Sequence, residues 1–485
     1  MLVILLAIAV VCATYLFVAT YNHLNYWNKR GVLCEKPHFI YGNLSELEHT
    51  KNLSTIHNDF YKKFKRKTPY IGFFFHLKPS LVIFDLDVAK DVLIKDFSNF
   101  TSKFRYLNEH HDPMTATLLN LEGTKWQNLR KDLTVAFTPS KIKSSIKRVQ
   151  EESQILVEYL EAIQDIDNVI DIRELVVRHI TNIMCRFCLE IESKDFKKDV
   201  FYEKALEILG SSTNFYNRMS RSLIASFPRL FTKLGIKIIS KDMDNFLINT
   251  VDNVLKDRSE DKVDFLSVFL KMRDVTVKKI SAQVYSFFEA SLITTSTTIC
   301  TALYELALNE DVQDKLRKEI LEYLDENQGV CDYASIKHCK YLEKVINETL
   351  RKYPIATQLS RVCESDYTIK KWNLKIEKGV LIIIPTSAIN MDPEIFPNPE
   401  VFNPERFTPE NIESRHSMAF LPFGEGGRSC IGREFGKIML KLALIELLRH
   451  FKFSASPKTD IPLKLEHTQV NLPDGKIFLR VEKLY

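Results

Sequence analysis

The residues with the clearest capacity for chemistry lie between positions 420 and 436. Pro422 and the glycines at 424, 426, 427 and 432 spell a tight loop that delivers Cys430 to the start of a helix expected over residues 431–451. Backbone N–H groups and the positive end of a helix dipole stabilise an anionic sulfur, the form a metal-ligating thiol must take. A lone cysteine is more often a small buried hydrophobe, so the surrounding pattern has to decide between the two. A phosphate cradle does not fit the same glycines. Pro422 and Phe423 stand where a strand should precede them, and no Gly-Lys-Ser/Thr follows.

The pattern Phe423-x-x-Gly426-x-Arg428-x-Cys430-x-Gly432 resembles, position for position, the haem-binding loop of the cytochrome P450 family. Further features of that family follow in the same order: Trp126-x-x-x-Arg130, Glu348-Thr-Leu-Arg351 and Pro404-Glu405-Arg406-Phe407. The resemblance covers residues 30–485. The stretches 303–307 and 392–396 look most like its insect microsomal, detoxification branch, which is related to vertebrate drug-metabolising members.

The resemblance implies a mainly α fold with a smaller β-rich region, haem b (iron protoporphyrin IX) as cofactor, and Cys430 as the axial thiolate. Phe423 would sit against the ligand loop. Arg428, Trp126, Arg130 and Arg361 would pair with the haem propionates, with Lys103 where relatives often carry Arg. Glu348 and Arg351, at i and i+3 of one helix, can form an ion pair from spacing alone, and Arg406 would complete a structural triad in the family.

One helix departs from the family. Relatives carry Ala/Gly-Gly-x-Asp/Glu-Thr, whereas this chain reads Ala290-Ser291-Leu292-Ile293-Thr294-Thr295. Thr294, the expected catalytic alcohol, is kept. Ile293 replaces the acid and Ser291 the permissive glycine, and an aliphatic side chain cannot exchange protons with water. Glu289 lies one turn earlier, about 40° around an ideal helix.

These residues need elements to hold them. Residues 2–19 form an apolar run without a charge, about 27 Å long as a helix, enough to span a bilayer. Lys29 and Arg30 follow it, which predicts an uncleaved anchor with the rest of the chain cytosolic, and the sequons at Asn43, Asn52, Asn99 and Asn347 are then unused. The expected organisation is an anchor over 1–20, a linker over 21–43 and one catalytic domain over 44–485. Strands are expected within 70–84 and over 366–369, 380–384 and 477–481. Helices are expected over 124–137, 139–164, 172–189, 200–209, 241–256 and 277–309. The apolar and basic stretch 215–239 reads either as a membrane-touching surface or as an ordinary amphipathic segment.

A chain of 485 residues with 45% hydrophobic and 27% charged residues has ample material for a core and excludes a disordered or polytopic protein. A net charge of +5 without basic blocks excludes a nucleic-acid partner. Nine irregularly spaced cysteines fit a reducing compartment. Cys185-x-x-Cys188 has no second ligand pair and reads as core, and His110-His111 as a solvated loop pair.

The resemblance further implies a monooxygenase of the endoplasmic reticulum membrane that inserts one atom of O2 into a hydrophobic small molecule. No dinucleotide fingerprint or flavin domain is present, so NADPH–cytochrome P450 reductase would supply the electrons, with cytochrome b5 as a second donor. Two alternatives stay open because of Ile293 and Ser291. One is a haem-binding protein that has lost oxygen activation and acts as a sink; the other is a haem-thiolate isomerase or dehydratase. Pocket walls expected by family position are residues 107–119, 201–219, 286–294, 357–359 and 470–472, which carry few charges.

Overall fold

The computed structural model describes residues 1–485 except 48, 193–198, 211–223, 225–226, 259–264, 272–274, 330–332 and 485. Part of the expected membrane-touching stretch and of the 201–219 wall therefore lies outside the described residues.

Helices form where apolar periodicity and caps coincide. Pro139–Gln164, Ile172–Leu189 and Lys241–Lys256 have the bounds read from the sequence. Asp171 and Ser240 accept backbone N–H groups at the first turns of the latter two, and Thr276 does the same for the helix beginning at Val277. The expected helix over 124–137 is an α-helix over Gly123–Thr134 that tightens into a 3-10 turn over Val135–Phe137. Their buried faces share one large core with the long central helix and with Arg433–His450. Arg433–His450 packs on Pro139–Gln164, which packs on Ile172–Leu189.

The β-rich part is a four-stranded sheet in the order Tyr70–Phe75, Lys78–Ile83, Leu381–Ile384, Leu359–Val362. The first pair is an antiparallel hairpin with Tyr70 opposite Ile83. Lys78–Ile83 then runs parallel to Leu381–Ile384, with Ser80 opposite Leu381, which forces the long helical crossover between them. Leu359–Val362 returns antiparallel and carries Arg361 inward. A three-stranded sheet joins Val169–Asp171, Phe478–Lys483 and Phe451–Ala455, and Tyr367–Ile369 pairs with Leu374–Ile376.

The apolar N-terminal helix runs over Leu2–Leu24, past the expected end at residue 19, and is long and apolar enough to cross a membrane. The 21–43 stretch, expected as a linker, is packed against the body. Trp27 is fully buried and its indole donates to the Phe73 carbonyl at 3.0 Å, while Gly72 N–H donates to Leu33 O at 2.8 Å. A buried indole and a spare sheet edge explain why a stretch polar on average still docks.

Candidate active site

The loop before Arg433–His450 is pressed against its neighbours so closely that only glycine fits. A Cβ at Gly426, which has φ +73, would stand 1.9 Å from the Leu93 carbonyl oxygen, and one at Gly427 would meet the Phe97 ring at 2.5 Å. Cys430 N–H donates to Phe423 O at 2.8 Å and closes the loop. The helix begins at Arg433 with Gly432 as its cap, not at 431, so Cys430 lies just ahead of the first turn. Its sulfur is exposed although the surrounding chain buries the group enough to push the thiol up, against the Gly432 N–H, Arg130, Arg433 and Lys103, which pull it down. An accessible sulfur at that depth faces an interior hollow.

Cations crowd the same hollow. Burial holds Lys103 well below the usual amine range, aggravated by Arg361, Arg105 and Arg428 and opposed by Cys430. Arg361 is brought down to about 10 by burial, and its Nε is buried without a hydrogen-bond partner. Arg428, also brought to about 10 by burial and then by Arg361, spends Nε and both terminal nitrogens on the carbonyls of Thr101 at 2.8 Å, Leu118 at 3.2 Å and Leu121 at 2.8 Å. Its guanidinium lies 3.8 Å above the Trp126 ring. Arg130 donates to Ser429 O at 2.9 Å, bracing the residue before Cys430. Arg428 and Arg130 thus position the loop as well as lining it, a role that motif matching did not suggest. Arg105 was missed altogether. Its only signal is the i, i+2 spacing from Lys103, which in extended chain places both on one side.

The central helix reaches these cations through Glu289, which acts on Arg105. It is continuous, as expected, but interrupted by a π turn over Leu292–Ser296 between Val277–Ser291 and Thr297–Leu308. The cause is a run of hydroxyls that bond back to carbonyls four residues earlier: Thr294 to Ala290 O at 2.8 Å, Thr298 to Thr294 O at 2.8 Å and Thr301 to Thr297 O at 2.8 Å. Ala290 and Thr294 are exposed on a helix otherwise mostly buried. Ile293 packs against the core cluster. Glu289 acts on Arg105, opposing the downward pull of burial on that guanidinium.

The triad is assembled. Arg351 grips Glu348 with two contacts of 2.7 and 2.8 Å, Arg406 Nε stands 3.2 Å from the same carboxylate, and Asn403 N–H adds a bond of 2.9 Å. Glu348 and Arg351 are completely buried. The terminal guanidinium nitrogens also hold the carbonyls of Asn390, Pro397, Asn398 and Pro399, fixing the segment that leads into the cysteine loop. Cys185 and Cys188 are buried core residues.

The donor set suits iron protoporphyrin IX. One accessible sulfur offers an axial ligand, and Lys103, Arg105, Arg130, Arg361 and Arg428 gather a positive charge that two propionates can balance, with the Arg361 Nε still lacking an acceptor. A family model described as Cytochrome P450 matches residues 33–481. The chain is 34% identical to cytochrome P450 6A1 of Musca domestica, over 99% of this chain and 98% of that protein. It is 37% identical to probable cytochrome P450 6a23 of Drosophila melanogaster over 100% of both, and 34% identical to cytochrome P450 6a2 of the same species over 96% of each.

Proposed function

From the premise that the chain belongs to the cytochrome P450 family, and is therefore a haem-thiolate monooxygenase with haem b as its cofactor, we propose how its own residues serve that reaction. The substrate is a hydrophobic small molecule, electrons come from NADPH–cytochrome P450 reductase with cytochrome b5 as a second donor, and the enzyme is held at the endoplasmic reticulum membrane by Leu2–Leu24. The observation that carries this reading is the exposed Cys430 with Arg130, Arg433 and Lys103 acting on its sulfur and Arg361, Arg105 and Arg428 acting in turn on Lys103.

When bound, the haem supplies oxygen activation and insertion of one oxygen atom into the substrate. Cys430 would be its iron ligand, with Gly432 N–H, Arg130 and Arg433 favouring the anionic sulfur. Arg361, Arg130, Lys103 and Arg428 would hold the propionates, Arg428 while pinning residues 101, 118 and 121, and the Trp126 indole would add a donor. Thr294 donates its proton to Ala290 O, which leaves the lone pairs of Oγ1 directed away to accept a proton donor. Ile293 supplies no proton, so Thr294 depends on water entering beside it.

Reconstitution with reductase and NADPH tests the proposal against the two alternatives. Oxygenated product that requires both NADPH and reductase supports it. No oxygenated product with NADPH and reductase, even where added peroxide yields some, or rearranged product without NADPH use, contradicts it.

A further inference from the structure

Three guanidiniums gather near the single carboxylate of Glu348, and only two of them touch it. Arg351 and Arg406 hold it directly. The third is Arg415, which follows the short helix Pro409–Glu413 on the way to the cysteine loop. Its guanidinium is fixed by two rings, 4.8 Å from the centre of Phe396 and 4.9 Å from that of Phe407, and Arg351 lies 5.6 Å from the same Phe396 ring. Burial holds the Arg415 guanidinium below its usual range, opposed by Glu348 and reinforced by Arg406 and Arg351. Among the described residues its N–H donors meet no acceptor and no carboxylate of their own. Three guanidiniums against one carboxylate leave two positive charges unmatched.

This excess borders open space. Arg406 and Arg415 line a cleft of about 540 Å³, a size within the usual range of small-molecule sites. The other charged walls of the cleft are already paired. Glu394 meets Lys65 at 2.7 Å and Arg66 at 3.2 Å, and Glu405 meets Lys315 at 2.6 Å and Lys344 at 2.7 Å. His416 lies 3.2 Å from Asp87. Each carboxylate in the wall therefore has two cations of its own, and neither answers Arg415. Leu86, Ile395, Pro397 and Ala419 add an apolar part to the lining.

We propose that this cleft binds a phosphate monoester of a small organic molecule, with the phosphate on Arg415 and the organic part on the apolar wall. A phosphate ester carries about −1.5 to −2 at neutral pH, which matches the unmatched charge, whereas a carboxylate would leave half of it. The guanidinium fork can grip two phosphate oxygens at once. Occupancy neutralises the excess around Glu348 and so steadies the arginines that hold the carbonyls of Asn390, Pro397, Asn398 and Pro399. The site stands whether or not the chain is a monooxygenase.

Titration calorimetry of the haem-loaded enzyme with phenyl phosphate tests it, beside inorganic phosphate, benzoate, and sodium chloride at matched ionic strength. Phenyl phosphate should saturate a single site about tenfold more tightly than inorganic phosphate, through its ring, and more tightly than benzoate, through its second charge. At ten times its Kd it should raise the folded-to-unfolded ratio in urea about tenfold, a readout independent of activity. Arg415→Gln should weaken phenyl phosphate about tenfold or more and respond to it no further than to chloride. If that variant does not fold, Arg415→Lys, which keeps the charge but not the fork, should weaken it about fivefold. Unchanged affinity in either folded variant overturns the site, and so does a wild-type enzyme that answers phenyl phosphate only as it answers chloride. Benzoate binding as tightly as phenyl phosphate overturns the choice of a phosphate, and equal affinity for the two phosphates overturns the organic part.

Discussion

Replacing Glu348 with Gln removes one negative charge and almost no volume from the most enclosed ion cluster among the described residues. Glu348 and Arg351 have no exposed surface and Arg406 only 9%. In the native protein one carboxylate serves two guanidiniums and the Asn403 N–H. The amide can accept some of these bonds, but both cations lose their counter-charge in a low-dielectric interior. Breaking a buried pair from one side costs about 3–5 kcal/mol, and two stranded cations place this variant at the upper end. Against a total stability of about 5–15 kcal/mol, that loss should leave a large fraction of the protein unfolded or without haem. Arg351→Met should cost less, because Glu348 keeps Arg406 and Asn403. Urea unfolding followed by circular dichroism, together with the haem-to-protein ratio, checks both the size and the order. A Glu348→Gln protein within about 1 kcal/mol of wild type, or less harmed than Arg351→Met, refutes the argument that an uncompensated charge is what the triad prevents.

The other outcomes follow from single contacts. Arg428→Lys should lose haem almost as readily as Arg428→Ala, because one ammonium cannot span the carbonyls of Thr101, Leu118 and Leu121; each charged hydrogen bond lost contributes about 1.5–3 kcal/mol, and the apo fraction after gel filtration measures it. Ile293→Glu should raise product formed per NADPH and lower peroxide release by supplying an exchangeable proton beside Thr294, whereas unchanged coupling would mean that water or another group already delivers it. Burial brings His57 and His179 down to about 4 from 6.5, so the unfolded chain binds protons that the native one refuses; the stability these neutral rings contribute is complete above pH 6.5 and lost as the pH falls toward 4. That amounts to at most about 3 kcal/mol for each ring, and His57→Phe should flatten the pH dependence of the urea midpoint over that window.

What could be read from the sequence was whatever depends on local pattern. The bounds of Pro139–Gln164, Ile172–Leu189 and Lys241–Lys256 follow from periodicity and cap residues, and the hairpin over Tyr70–Ile83 from a run of β-rich residues bounded by Pro69 and Asp85. The cysteine loop was legible because its glycines are demanded by contacts as close as that of Gly426 with Leu93. Partners chosen by tertiary approach were not legible. Nothing in the spacing of Arg428 says that its guanidinium ends on three carbonyls of a loop some 300 residues earlier, which only the packed structure brings together. The docking of 21–43 escaped for the same reason, since the acceptor of Trp27 is a sheet carbonyl. The π turn at Leu292–Ser296 had a signal that went unused, the unbroken hydroxyl run from Thr294 to Thr298.

The central claim is that the Cys430 sulfur is the iron ligand at the head of this hollow, and the absorption spectrum of the reduced, carbon monoxide-bound protein tests it most directly. Wild type should show the strongly red-shifted Soret band of a thiolate-ligated haem, while Cys430→Ala, folded to the same helical content by circular dichroism, should lack that band whether or not it retains haem. The same red-shifted band in Cys430→Ala would contradict the account, because another residue would then be the ligand that these loops and cations are arranged to hold.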